Sequence, residues 1–166
     1  MLRLVNRKEL LRRWQAAYLR PTPEMPLRWI ERGKKDPQVS ALFRAFDGES
    51  LSGSVPPVCL GLSAAAECLG FEPAQGVPSR FYYLGNLDRE VLRRIGMSPD
   101  DAEFRPDLFL RQPVFEKSIF KAAVTRDGLL VSDIIQVWLD ITSPLAPDIE
   151  LADKIRHRAL ARIFEE

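Results

Sequence analysis

VTRDGLLVSDIIQVWLDI, residues 124–141, is the stretch whose reading decides the fold. It reads as strand, tight turn, strand, helix. Asp127-Gly128 predicts a two-residue hairpin turn, because such a turn needs positive φ and Asp and Gly tolerate it. Leu129, Leu130 and Val131 form the return strand. Ser132 stands where an N-cap belongs, and Asp133 falls in the first turn, where a carboxylate opposes the helix dipole. After Asp133, only Gln136 and Asp140 interrupt an apolar run that ends at Ile141. A helix that apolar is mostly buried, so it is the expected central helix of the core.

The chain around it has 166 residues, enough for one domain with a sizeable core. An apolar fraction of 46% and a charged fraction of 28% are those of an ordinary soluble globular protein. The longest apolar run falls far short of the roughly 20 residues a membrane span needs. The start, MLRLVNRKELLRRW, has no apolar h-region, so no secretory signal is expected. Cys59 and Cys68 make neither a disulfide framework nor a metal site. A reduced, cytoplasmic compartment of bacterial type is the expectation.

Net charge is +1, unevenly spread. Residues 1–35 hold ten Lys/Arg against three Glu, and the remainder holds 14 basic against 20 acidic residues. The basic segment permits contact with nucleic acid or an acidic protein, and it is equally read as a solvated basic helix.

Upstream of the hairpin the chain alternates helices and short strands. Asn6 and Glu9 suggest a capping box opening a helix that carries Leu10, Leu11, Trp14, Ala17 and Tyr18 at helical spacing. Pro21 and Pro23 stop it near Leu19 or Arg20. Leu2, Leu4 and Val5 suggest a short strand before it, and Leu27 to Arg32 another after it. Asp36-Pro37 starts a helix with Val39, Leu42, Phe43 and Phe46 on one face. Glu49 to Pro57 reads as irregular, and Pro56-Pro57 argues against a central strand there. In CLGLSAAAECLGF, Ser63 is the expected N-cap of a helix over Ala64 to Leu69, small enough for another backbone to pass close. Arg80 to Leu84 and Pro106 to Gln112 read as strands, Asp88 to Ile95 as a helix, and Ser98 to Asp101 as a turn or short helix. Val114 to Phe120 is ambiguous between loop, strand and helix. Asp148 caps a last helix with Ile149, Ala152, Ile155, Ala159, Ile163 and Phe164 on or near one stripe. The expected architecture is α+β: one domain over residues 1–166, a mixed sheet of about four to six short strands, and a buried central helix.

No residue set announces a reaction. His157, the single histidine, has Asp153 one turn away but no nucleophile nearby, and reads as a surface residue. No basic neighbour lowers the pKa of either cysteine, and core packing accounts for both. The glycines form no phosphate-binding motif. Asp100-Asp101 and Asp47 with Glu49 are conceivable metal ligands, although capping explains the first pair. Asp140 has no capping role and predicts a basic partner within the fold or across an interface. Arg7, Lys8, Arg12 and Arg13 are the residues with which the first helix would contact phosphates. No cofactor is expected.

The pattern of Val131, Ser132, Gln136, Trp138, Leu139 and Asp140 after an Asp-Gly hairpin resembles the C-terminal domain of AbiEi-family antitoxins of type IV toxin–antitoxin systems. LLRRWQAAYLRP at 10–21 resembles that family's Trp-x-x-x-Tyr helix followed by Arg-Pro. GLSAAAECLGF at 61–71 resembles its Ser-Ala-Ala segment, and IELADKIRHRAL at 149–160 its closing helix. The resemblance implies a non-enzymatic protein that counters a nucleotidyltransferase toxin. Family members place a DNA-binding winged helix before the Trp-x-x-x-Tyr helix, and here only five residues precede Asn6. The expectation is therefore a toxin-countering or dimer-forming module without its repressor part, or a product whose start lies upstream. The segment after the central helix, Pro144-Leu145-Ala146-Pro147-Asp148, also departs from the family's Pro-Ala-Arg-Gly. Two rival readings remain: a DNA-binding regulator acting through the basic first helix, and a small nucleotide-handling enzyme whose site is not legible.

Overall fold

The computed structural model describes residues 6–18, 23–30, 58–71, 78–83, 89–99, 105–113, 115–143 and 148–164. The expected strand around Leu2 to Val5, the helix from Asp36, the Glu49–Pro57 stretch and the Asp100-Asp101 and Asp47/Glu49 pairs lie outside these residues.

The hairpin forms as its sequence demands. β6 (Val124–Arg126) pairs antiparallel with β7 (Leu129–Val131). Asp127 and Gly128 both take positive φ, 50° and 80°, as a type I′ turn requires. The helix Ile134–Ile141 follows at once, with Val137, Trp138, Leu139, Asp140 and Ile141 buried. Its N-cap is Asp133, not Ser132. Asp133 Oδ1 accepts from the N–H groups of Ile135 and Gln136. Ser132 is buried one residue earlier, where its backbone N–H and hydroxyl both donate to the Leu60 carbonyl at 2.9 and 2.8 Å. The hydroxyl thus ties strand to strand instead of capping a helix.

Among the described residues seven strands, one more than the upper expectation, form one mixed sheet in the order β4-β1-β5-β3-β2-β7-β6. The strands not yet located are β1 (Glu24–Trp29), β2 (Val58–Gly61), β3 (Ser79–Tyr83), β4 (Met97–Pro99) and β5 (Leu108–Arg111). β3–β5 and β2–β7 are parallel, and the other neighbours are antiparallel. Two strands depart from the sequence reading. β2 begins directly after Pro57 and lies inside the sheet; the prolines precede the strand and remove no ladder donor within it. β4 forms where Ser98-Pro99 suggested a turn. Pro26, inside β1, is tolerated because β4 reaches only Leu27 to Trp29, so at Pro26 that side of β1 has no β4 partner.

Alternation splits the sheet residues between two clusters. Leu27, Val58, Leu60, Phe81, Tyr83, Leu108, Leu110 and Val131 join the main core. Cys59 and Tyr82 join a smaller cluster with Ile119 of the helix Glu116–Ala122, which resolves the ambiguous stretch. The helix Leu62–Cys68 packs against the central helix, and Ala65 and Ala66 are fully buried. Its start comes earlier than expected, with Gly61 as N-cap and Leu62 at φ 51°. The first helix (Arg7–Ala17) opens with Asn6 Oδ1 accepting from the Glu9 N–H, half of the expected capping box.

The last helical run, 149–164, contains a π turn at Arg156–Leu160. A π turn inserts one residue, so burial after Ile155 falls on Leu160 and Phe164 rather than on Ala159 and Ile163. Ile149 is exposed, ahead of the buried Leu151 and Ala152. Trp14 meets Phe164 edge-on, ring centroids 6.5 Å apart, and Arg7 donates to the Ile163 carbonyl. These contacts dock the first helix on the last.

Candidate functional site

The most unusual chemistry in the fold is a carboxylate shut off from solvent. Asp140 is fully buried near the end of the central helix. Tyr18 Oη donates to its Oδ1 and Tyr82 Oη to its Oδ2, each at 2.6 Å. Gln136, one turn back, donates its amide to Asp140 Oδ1 at 3.1 Å and to Tyr18 Oη at 2.6 Å. Arg111 Nη1 stands 3.7 Å from Oδ1. Asp140 was expected to bond a basic partner, and the fold supplies one guanidinium and two phenols.

Sheet register explains how these groups converge. Glu24, Arg111 and Tyr82 are directly opposed across β1, β5 and β3, and Cys59 opposes Tyr82 on β2. Opposed residues share a face of the sheet. Arg111 Nε pairs with Glu24 Oε1, and Arg80 Nε donates to the same oxygen at 3.0 Å while its guanidinium lies 4.8 Å from the Phe109 ring centre. A row of alternating charge therefore runs from the half-buried Glu24 inward to Asp140.

Burial is the largest influence on Asp140 and pushes its pKa above the usual carboxylate range. The tyrosine hydroxyls, Arg111 and Gln136 oppose that shift by favouring the ionised form. Burial and the neighbouring Asp140 charge push both phenols well above their ordinary value. For Arg111, burial acts to lower the pKa, but Tyr82, Asp140 and Glu24 outweigh it, so the guanidinium stays charged. The cluster is a satisfied polar network that locks three strands and two helices together, with its phenols held as donors.

Above it lies a groove of about 670 Å³. The first helix contributes Trp14, Ala17 and Tyr18, and the central helix Asp133, Ile135, Gln136 and Leu139. Phe115, Ser118 and Ala122 close the third side. Trp14 and Phe115 are large apolar side chains left 43% and 65% exposed. The polar network floors the groove through Tyr18 and Gln136.

The cationic residues of the first helix are largely engaged within the fold. Arg12 forms two bonds to Glu9, and Arg13 a third. The two guanidinium groups hold the Glu9 carboxyl down to about 2. Arg7 binds the Ile163 carbonyl at 3.1 Å. Lys8 and Arg12 share a small recess of about 210 Å³ with Arg156 of the π turn. The thiol of Cys59 is buried and pushed up to about 11 by burial, despite Ser132 Oγ at 3.6 Å. Cys68 is half-buried, and burial raises its pKa too. His157 is exposed on the π turn. Among the described residues no three His, Cys, Asp or Glu side chains gather as a metal site would require. No helix among them is long and apolar enough to cross a membrane. Compared with protein families, with curated proteins and with solved structures, the chain shows no match.

The sequence reading singled out Asp140 but neither Tyr82 nor Arg111 as its partners. Strand alternation places Tyr82 opposite Phe81 and Tyr83 in facing, a signal that could have marked Tyr82 as different from its neighbours. Nothing in the sequence pairs β3 with β5, which is what brings Arg111 alongside.

Proposed function

We propose that this chain is a non-enzymatic, antitoxin-like module of a type IV toxin–antitoxin system, countering a nucleotidyltransferase toxin. One observation carries the reading. Residues from two separate stretches that resemble AbiEi-family antitoxins make direct contact. Tyr18 of the Trp-x-x-x-Tyr helix donates to Asp140, and Gln136 bridges the two. The Ser-Ala-Ala helix and the closing helix both pack on the same central helix. The short motifs thus describe one connected unit, as motifs kept for a common fold would.

The ionisable groups support a binding role over a catalytic one. Asp140 is buried and enclosed by donors, out of a substrate's reach, and burial raises the pKa of both thiols, which are therefore mostly protonated at neutral pH. For the rival DNA-binding reading, Arg12 and Arg13 share the single Glu9 of their own helix and keep exposed side chains.

The test is co-expression with a nucleotidyltransferase encoded beside this chain. Restored growth, relative to the toxin alone, is the expected result. No rescue by a chain that is demonstrably folded in the same cells, or the lack of any such neighbouring gene, would remove the reading.

A further inference from the structure

The polar atoms left over in the groove are acceptors. Tyr18 commits its proton to Asp140, and Gln136 commits its amide to Tyr18 and Asp140. Ser118 donates its hydroxyl to the Phe115 carbonyl at 2.8 Å. Among the described residues nothing donates to Gln136 Oε1 or to Asp133 Oδ2, because both capping bonds use Asp133 Oδ1. Asp133 is also the one charged side chain among the described residues lining the groove. Beside these acceptors stand the half-exposed Trp14 and Phe115, whose ring faces attract cations.

A guest that fits must therefore bring donors, positive charge and apolar surface together. An anionic guest would meet a carboxylate and unpaired acceptors, and would be rejected. The volume, about 670 Å³, lies near the middle of the roughly 300–1,000 Å³ that ligand pockets span. A lone alkylammonium chain leaves much of it empty, whereas a lysine with apolar neighbours fills it. Aromatic side chains that become covered on binding are also where protein interfaces concentrate binding energy.

We propose that the groove receives a segment of a partner polypeptide in which a lysine or arginine is flanked by apolar side chains. The cation binds Asp133 and Gln136 Oε1, and the flanks cover Trp14, Phe115 and Leu139. This inference rests on the chemistry of the groove alone and stands independently of the antitoxin reading.

The experiment is an NMR titration of the full chain with acetyl-Leu-Lys-Phe-amide, its norleucine and glutamate counterparts, and n-hexylamine. The lysine peptide should bind about fivefold more tightly than the norleucine peptide, the contribution expected of a cation near a carboxylate and aromatic faces. The glutamate peptide should bind most weakly, and shifts should centre on Trp14, Asp133 and Gln136. Asp133→Asn removes the charge but keeps the cap, since Asn caps a helix as well as Asp, so the variant stays folded. It should erase the lysine preference, while Trp14→Ala weakens both the lysine and norleucine peptides. Equal binding of the lysine and norleucine peptides, an unchanged preference in Asp133→Asn, or no groove shifts at millimolar peptide would each overturn the proposal. Hexylamine binding as tightly as the lysine peptide would also overturn it, by making the site one for small amines.

Discussion

Replacing Tyr82 with Phe removes one oxygen from the centre of the molecule and leaves the ring in place. The hydroxyl donates at 2.6 Å to a carboxylate with no access to water. A hydrogen bond to a charged group contributes about 1.5–3 kcal/mol, and one between neutral groups about 1 kcal/mol. Tyr82 is itself 1% exposed, so bulk solvent does not take the place of the lost donor. The loss should therefore be about 2–3 kcal/mol where Asp140 is ionised, the condition sought at pH 7. It should also depend on pH. A carboxyl whose folded pKa lies above its unfolded value of about 3.9 adds stability that is whole below that value and is lost as pH climbs through the folded pKa. Taking away a donor lifts the folded pKa further, so the penalty of Tyr82→Phe grows as pH rises from about 4 through the folded pKa. At pH 4 only the neutral bond is lost, about 1 kcal/mol. Urea unfolding of both proteins at the two pH values reads this directly. With a slope of about 2 kcal/mol per molar urea, the midpoint should fall by about 1 M at pH 7 and about half that at pH 4. A loss below about 0.5 kcal/mol at pH 7, or equal losses at both pH values, would refute the account of an ionised carboxylate held by its donors.

Gly61→Ala should lower stability by about 1–3 kcal/mol, read from thermal melting, because its Cβ would lie 2.9 Å from Tyr82 Cε2 in a packed core. The Gly61 backbone is extended, so the ring and not the dihedral sets this cost. Glu24→Gln should cost about 2 kcal/mol in urea unfolding, since it removes the closer of two carboxylates facing the buried Arg111; Asp140 at 3.7 Å and the half-buried setting keep the loss below that of a fully broken enclosed pair. A thiol reagent at pH 8 should label the half-buried Cys68 in the native protein and reach Cys59 only after unfolding, which mass spectrometry of the labelled peptides would show. Asp148→Ala should cost about 1 kcal/mol by removing the cap on the Leu151 N–H, and Asp148→Asn a few tenths, measured the same way as Tyr82→Phe.

Local chemistry was legible in the sequence. Asp127-Gly128 had to turn, Asp148 had to cap, and the apolar helix had to be mostly buried, because each depends on residues a few positions apart; burial is complete over Val137–Ile141, while Ile134 and Ile135 stay half-buried, the latter lining the groove. The same local logic failed where two devices compete for one position. Ser132 and Asp133 are both good caps, and only the parallel pairing of Leu60 with Val131 gives Ser132 a carbonyl to bond, leaving the cap to Asp133. The π turn escaped notice because one inserted residue shifts burial from Ala159 to Leu160 with no change in composition.

What the sequence determined by itself is therefore the class of fold, most of its elements, and Asp140 as a charge that needed a partner. Only the tertiary structure decided the strand order, and with it the register that sets Glu24, Arg111 and Tyr82 in one row. It also decided that the helix bearing Tyr18, 122 residues before Asp140, would close over that row and leave an acceptor-rich groove beside it. The reason is physical. Capping, turns and helical amphipathicity are short-range and repeat in sequence, whereas a buried carboxylate is satisfied by whichever donors long-range pairing brings within about 3 Å, and no local pattern records that choice.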